Sequence, residues 1–209
     1  MKPFFMRNLI LAILLFSSTC GYSQDSLNLK IDYGPDDKQL GDIMRFIGIE
    51  QMQLNISHKD LKGKKIVLSF EEFKEGKVIN KGNMTKGLPD MLLQATSDTF
   101  SIKVMSRATG DSAKIDFFYP RFNSSTEYYI EQPAKDYSMR FAMLANRDHT
   151  LRTAVTRERQ AMFVYSLPYQ KPNEDYKYYC ALTAGGVPPE KWWDEYHVRH
   201  YIIFYLQIT

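Results

Sequence analysis

The stretch Phe100-Ser-Ile-Lys-Val-Met-Ser-Arg-Ala-Thr-Gly-Asp-Ser-Ala-Lys-Ile-Asp-Phe-Phe-Tyr119 determines the fold class. Apolar and polar side chains alternate from Phe100 to Val104 and again from Ala113 to Tyr119. Alternation with a period of two is typical of a strand that buries one face. The residues between the two runs, Ala108 to Ser112, include a glycine and an aspartate, which favour turns. The stretch therefore predicts a β-hairpin.

The same alternation recurs along most of the chain. Further runs lie at Leu27 to Tyr33, Met52 to Ile56, Ile66 to Phe70, Tyr128 to Ile130, Met162 to Tyr165 and Tyr176 to Leu182. Glu75-Gly76 predicts another tight turn, followed by a short return strand. The last run, Tyr201 to Ile208, is apolar on both faces, which predicts a strand at the centre of a sheet. The pattern predicts a mainly all-β fold, an antiparallel β-sandwich of about eight to ten strands with one or two short helices.

Helical signals are fewer. Apolar residues at 40, 43, 44 and 47 have the spacing of one helix face, and Asp36-Asp37 before them can cap the N-terminus. Pro188 to Tyr196 opens with prolines, which suit a first helical turn. Pro89 to Ala95 predicts one helical turn, and Tyr137 to Ala145 fits either a helix or a strand.

Residues 1–24 have the order of a secretory signal peptide. Two cations, Lys2 and Arg7, precede an eight-residue apolar run, and small or polar residues follow. A bilayer span needs about twenty apolar residues, so the run favours a cleaved leader over an anchor. Cleavage after Ser23 or Gln24 would leave residues 25–209 as one domain in the periplasm, on the outer-membrane surface or outside the cell. The alternative is lipidation of Cys20, which would tether that domain to a membrane.

Charge and cysteine content exclude some classes of function. The formal net charge is +3, and without Lys2 and Arg7 the chain has 25 basic and 24 acidic residues. This balance gives no electrostatic basis for binding nucleic acid. Cys180 is the one cysteine outside the leader, so an intramolecular disulfide in the processed chain is excluded.

Several dispersed segments resemble one family. They are Phe46-Ile-Gly-Ile-Glu50, Lys62-Gly-Lys-Lys-Ile66, Glu72-Phe-Lys-Glu-Gly-Lys77, Ser106, Phe118-Tyr-Pro-Arg-Phe122, Asp136-Tyr-Ser-Met-Arg140, Leu167-Pro-Tyr169, Trp192-Trp193 and Val198-Arg-His-Tyr201. Together they resemble the uncharacterised secreted or lipid-anchored proteins of about this length in Bacteroides and relatives, which carry a domain of unknown function. The resemblance implies a Gram-negative host and an envelope or extracellular location, and it implies no activity.

Aromatic residues supply the first candidate site. Trp192, Trp193 and Tyr196 are close in sequence, and Tyr128-Tyr129 forms a second pair. Large aromatic side chains most often fill cores, but an exposed group of them can stack on a sugar or contact a protein. We consider these five residues a candidate binding patch.

Titratable residues supply weaker candidates. His197 and His200 lie near Asp194 and Glu195, and such residues are common metal ligands. A helix would put the two histidines on one face, whereas a strand would put them on opposite faces, so the sequence predicts no metal and no cofactor. Glu71, Glu72 and Glu75 surround a predicted turn, where we expect a solvated strand end.

Two functions from different classes follow. The first is a non-enzymatic envelope protein that binds a partner protein or a glycan through a sandwich face or its loops. The second is a small secreted hydrolase whose catalytic residues come together only in the fold, for example two of Asp194, Glu195, His197 and His200. No catalytic motif in the sequence favours the second.

Overall fold

The computed structural model describes residues 26–131, 133–143, 146–154, 157–170, 174–179, 182–183 and 186–209. The predicted leader, Cys20 and Cys180 lie outside them. The strands are β1 (Ser26–Tyr33), β2 (Ile49–Ser57), β3 (Ile66–Lys74), β4 (Lys77–Asn83), β5 (Thr99–Thr109), β6 (Ser112–Phe118), β7 (Asn123–Tyr129), β8 (Ser138–Phe141), β9 (Thr150–Ala154), β10 (Gln160–Ser166), β11 (Tyr169–Gln170), β12 (Lys177–Tyr178) and β13 (His200–Ile208).

Two antiparallel sheets form the body of the molecule. The six-stranded sheet has the order β7-β6-β5-β2-β1-β9, the five-stranded sheet has the order β4-β3-β13-β10-β8, and β11 pairs with β12. Apolar residues from the facing sides of both large sheets pack into one buried cluster, for example Leu54 of β2 and Phe204 of β13. The predicted mainly all-β sandwich is therefore confirmed.

The hairpin predicted from residues 100–119 is formed by β5 and β6. Thr109 pairs with Ser112 across the turn, and Gly110 adopts a positive φ of 62°. Phe100, Ile102 and Val104 are buried, as the alternation requires. The turn at Glu75-Gly76 joins β3 to β4 as predicted.

Strand β13 is central, as its apolar residues predict. It pairs with β3 on one side and with β10 on the other. Ile202 and Phe204 face the core between the sheets, whereas Tyr201, Ile203 and Tyr205 face a second buried cluster on the outer side. Residues 182–198 contribute Leu182, Trp192 and Val198 to that outer cluster, so this sheet is covered on both faces.

The helices are α1 (Lys38–Phe46), α2 (Asp90–Leu93) and α3 (Trp192–Tyr196), with 3-10 turns at Ala134–Asp136 and Pro189–Lys191. All three occur where helical signals were predicted. Asp37 is the N-cap of α1 and accepts from the backbone N–H groups of Gln39 and Leu40 at 2.8 and 3.2 Å. No helix within the described residues is long and apolar enough to cross a bilayer.

Two segments differ from the simplest sequence interpretation. The ambiguous stretch from Tyr137 forms strand β8, and its last residues, 144 and 145, lie outside the described part. The run from Tyr176 to Leu182 contains only the two-residue strand β12 in its described part. In addition, the connection from His58 to Lys65 passes from one sheet to the other, since β2 and β3 belong to different sheets.

Candidate functional site

The five candidate aromatic residues do not form one surface. Trp192 is fully buried on the outer side of the five-stranded sheet, where its indole N–H donates to the carbonyl of Val187 at 3.1 Å. Tyr128 is buried on the opposite side, between the sheets, with its ring 5.2 Å from that of Phe70. Neither residue belongs to an exposed patch, so the predicted patch is corrected for both.

The remaining three aromatic residues are more accessible but dispersed. Trp193 is half-buried and packs against Gly76, where an added Cβ would come within 2.6 Å of its Cδ1 atom. Tyr196 is half-buried beside Tyr169, with ring centroids 5.1 Å apart. Tyr129 is 68% exposed, on the outer side of the edge strand β7. They provide no single aromatic platform.

The two histidines are separated by the end of α3. His197 is exposed and occupies the left-handed C-cap with φ 54°, whereas His200 is 2% exposed and faces the sandwich interior. Strand geometry therefore places His200 away from His197, Asp194 and Glu195. Among the described residues, no group of three or more His, Cys, Asp or Glu side chains could hold a metal ion.

His200 instead joins a buried chain of polar groups. Its Nε2 atom lies 3.0 Å from Oε1 of Glu72, and its Nδ1 atom lies 2.7 Å from the hydroxyl of Tyr137. Asn80 donates to the second oxygen of Glu72 at 3.1 Å, and the backbone N–H of Glu131 donates to the Tyr137 hydroxyl at 3.2 Å. Glu72 is 6% exposed, so the expectation of a solvated strand end is wrong for this residue.

Hydrogen bonding assigns the protons in this chain. In the neutral tautomer of His200 that donates from Nε2 to the Glu72 carboxylate, Nδ1 accepts the hydroxyl proton of Tyr137. Burial raises the pKa of the Tyr137 hydroxyl, and this effect exceeds the opposing effect of the Glu131 N–H donor, while nearby Glu131, Tyr165 and Glu72 raise it further. A catalytic tyrosine needs a lowered pKa to act as a nucleophile or base at neutral pH. In this buried group of hydrogen-bonded side chains, Tyr137 therefore stays protonated, and the hydrogen bonds brace the end of the sandwich.

A cleft of about 880 Å³ opens at this end of the sandwich. Its walls come from the β1–α1 connection, from α1, from the start of β2 and from the segment that leads into β8. Charged side chains of both signs line it, among them Lys38, Asp42, Lys135 and Arg140. The charges on its walls are thus nearly balanced, with no excess of one sign that would select a strongly ionic ligand.

Glu50 fixes the geometry of the cleft. Its carboxylate accepts from the Ser138 hydroxyl, from the backbone N–H of Met139 at 2.7 Å and from the Ser106 hydroxyl at 3.4 Å. These bonds tie β2 and β5 of one sheet to β8 of the other. Glu50 was not among the predicted site residues, although it continues the interior alternation of Met52 and Leu54, where a carboxylate is out of place.

Helix α1 presents its apolar side to solvent. Leu40, Ile43, Phe46 and Ile47, which we name the helix patch, are 46%, 58%, 92% and 41% exposed. Met44 is the buried residue of the helix, and the cleft is lined by Lys38, Gly41, Asp42 and Arg45 from its polar side. This orientation reverses the usual arrangement, in which the apolar side of a surface helix faces the core.

Comparison of the chain with protein-family models, with curated proteins and with solved structures gives no match.

Proposed function

We propose that this protein is an exported, non-enzymatic binding module that docks a partner protein on the helix patch and in the cleft beside it. The exported location rests on the leader-like residues 1–24 and on the resemblance to Bacteroides envelope proteins. The docking function rests on one observation, the outward-facing apolar side of α1.

The exposed area of the helix patch is comparable with the largest apolar patch of a typical monomer, which is often functional. Four large apolar side chains at these exposures present roughly 400 Å², which is within the range of the largest patch on an ordinary soluble monomer. Covering that area from water would contribute roughly 10 kcal/mol, part of which offsets the loss of translational and side-chain freedom on association. The 92% exposure of Phe46 therefore favours a partner protein that binds this surface reversibly.

The surroundings of the helix patch favour a different protein over a second copy or a lipid surface. Obligate dimers usually bury about 1,000 Å² or more on each copy, more than twice what the patch alone supplies. The acidic residues Asp36, Asp37 and Asp42 outnumber Lys38 and Arg45 in this segment, which disfavours an anionic bilayer. A partner protein can cover the patch and also meet the charged side chains that line the cleft, which matches the apolar centre and polar rim of protein interfaces.

The hydrolase alternative has no comparable support. Asp194, Glu195 and His197 lie on or beside the short helix α3, whereas His200 is buried inside the sandwich. The buried chain that does contain His200 ends on a tyrosine whose pKa is raised. The groups named for catalysis therefore do not converge on the cleft.

The test compares two matched double variants. Ile43→Ser with Phe46→Ser removes most of the helix patch, and Val78→Ser with Ile79→Ser removes another exposed apolar pair, on the edge strand β4. Each tagged protein is cross-linked in intact cells of a Bacteroides-type host, and the recovered partner is then purified and titrated against all three forms. We expect the patch variant to bind at least about tenfold more weakly, a loss of about 1.4 kcal/mol, and the β4 variant to bind as the unaltered chain does.

Sedimentation equilibrium of the purified chain gives the second readout. A chain that stays monomeric at micromolar concentration agrees with the proposal, whereas a dimer that the patch variant abolishes would identify a second copy as the occupant. Equal affinity of the partner for the unaltered chain and for the patch variant would reject docking on α1.

A further inference from the structure

The outer face of the six-stranded sheet carries a second groove, of about 1160 Å³. It is bordered by residues 96–99 with Pro120 and by residues 146–152, and its floor is formed by β1, β2 and β5. None of the large exposed apolar residues of the described chain lines it. The groove belongs to a different face from the helix patch and the cleft.

Cross-strand pairing arranges the floor in two rows. Arg152, Asn28, Ser57 and Thr99 form the first row across β9, β1, β2 and β5, and Thr150, Lys30, Asn55 and Ser101 form the second. The six residues on β1, β2 and β5 alternate with buried residues, and Thr150 and Arg152 flank the partly buried Leu151, so all eight side chains point outward. Four strands span about 14 Å, and almost every position in both rows carries a hydroxyl, an amide or a basic group.

Hydrogen bonds within the second row hold its amide in one orientation. The Asn55 side-chain oxygen accepts from the Ser101 hydroxyl at 2.8 Å and from the Gln53 amide at 3.1 Å. The Asn55 amide nitrogen donates to Asp32 at 2.9 Å, and Lys30 pairs with Asp32 at 3.0 Å. At the border, the Thr150 hydroxyl donates to Asp148 at 2.7 Å and lowers the pKa of that carboxyl. The polar groups are thus fixed before any ligand arrives, which reduces the entropy cost of binding.

The charge of the groove is nearly balanced. Lys30 and Arg152 are opposed by Asp148 and by Asp32 beside the floor. Such a surface lacks the basic excess that nucleic acid or a polyanion requires. It also lacks the apolar centre that a protein interface requires.

We infer that this groove binds a short neutral oligosaccharide. Sugar hydroxyls both donate and accept, and fixed amide and hydroxyl side chains at regular spacing are the matching partners. Phe118 lies one row beyond Ser101 on the same outer face, next to the groove and not in its lining, with the Lys103 ammonium 4.9 Å from its ring centroid. This binding activity is independent of partner docking on α1.

The experiment titrates the full chain with cellohexaose, maltohexaose, xylohexaose and mannohexaose, with trigalacturonate as the acidic comparison. Binding is followed by calorimetry and by backbone amide chemical shifts. We expect at least one neutral hexasaccharide to shift the amides of residues 28–30, 55–57 and 99–101. Asn55→Ala with Ser101→Ala is expected to weaken that binding about tenfold, because two fixed hydrogen-bonding partners are lost.

The matched control is Asn123→Ala with Ser125→Ala, which removes one amide and one hydroxyl from the outer face of β7, beyond the groove. This control and the Ile43→Ser, Phe46→Ser variant should bind the sugar as the unaltered chain does. The inference is overturned if no neutral hexasaccharide binds, if the shifted amides lie outside the groove, or if trigalacturonate binds more tightly. Retained sugar binding in a chain that docks no partner would separate this inference from the proposed function.

Discussion

Glu50 and Glu72 occupy interior-facing positions in strands whose neighbouring interior positions are apolar. Glu50 continues the alternation of Met52, and Glu72 continues that of Leu68. A carboxylate at such a position is tolerated only when it is hydrogen-bonded, because losing water is costly for a charged group. Both residues meet this condition with partners from other strands, so each ties separate parts of the chain together.

A substitution at Glu50 tests this role. Glu50→Gln keeps the shape of the side chain but replaces the charged acceptor by a neutral amide, whose oxygen can still accept from the Met139 N–H while its NH₂ group faces the Ser138 hydroxyl, which must turn to accept. Hydrogen bonds to charged groups contribute about 1.5–3 kcal/mol, so we expect the free energy of unfolding in urea to fall by about 2 kcal/mol. Glu195→Gln, at an exposed position on α3, is the control and should change it by less than about 0.5 kcal/mol. Equal stability of the two variants would show that the carboxylate does not brace the sheets.

At the scale of elements, the turn between β3 and β4 depends both on the positive φ of Gly76 and on the contact of this residue with the Trp193 side chain. Gly76 has φ 75°, and an added Cβ would lie 2.6 Å from Cδ1 of Trp193. Gly63 has φ 82°, with nothing within 4 Å of an added Cβ. The two glycines therefore have the same conformational requirement, and only Gly76 has a close neighbour.

Alanine substitutions at these glycines separate the two effects. Gly63→Ala should cost about 1–2 kcal/mol of unfolding free energy, because an alanine must adopt a positive φ. Gly76→Ala should cost a further 1–3 kcal/mol, about what overpacking costs elsewhere, because Trp193 must move. Thermal or urea unfolding measures both values. Equal losses in the two variants would mean that the Trp193 ring yields freely at this contact.

Most elements of the fold could be predicted from the sequence because the signals that define them are local. The alternation from Phe100 to Tyr119 and the doubly apolar run from Tyr201 specify strands and, for β13, a central position. The partners of Glu50 and His200 could not be predicted, since they come from residues 56 to 128 positions away in the chain. The signal in the sequence was that Glu50 and His200 stand at inward-facing strand positions, where an apolar residue is expected.

The outward orientation of the apolar side of α1 also could not be predicted from the sequence. The spacing of Leu40, Ile43 and Ile47 predicts an apolar side, but it does not specify whether that side meets the core or a partner. Likewise, the sequence does not specify which of the adjacent residues Trp192 and Trp193 is buried. Only the packing of α3 on the five-stranded sheet determines that Trp192 is the buried one.

At the scale of the whole molecule, buried tyrosines make stability depend on alkaline pH. Burial raises the pKa of the hydroxyl groups of Tyr119, Tyr128, Tyr137, Tyr165, Tyr201 and Tyr205. In the unfolded chain a tyrosine ionises near pH 10. Above that pH the unfolded chain loses protons that the folded chain retains, so the free energy of unfolding decreases.

We therefore expect the tyrosine contribution to be fully present below about pH 9 and to be lost as pH rises above about 10, by up to about 1.4 kcal/mol per pH unit for each buried hydroxyl. Urea unfolding between pH 8 and 11.5 measures this slope. Tyr128→Phe removes one buried hydroxyl and should make the slope shallower by about that amount. Tyr176→Phe, at a side chain that is 70% exposed, should leave the slope unchanged, and both variants keep the same lysines as background. If Tyr128→Phe and Tyr176→Phe have the same slope as the unaltered chain, Tyr128 ionises as readily in the sandwich as in water, and its burial between Phe70 and Phe204 does not exclude solvent at high pH.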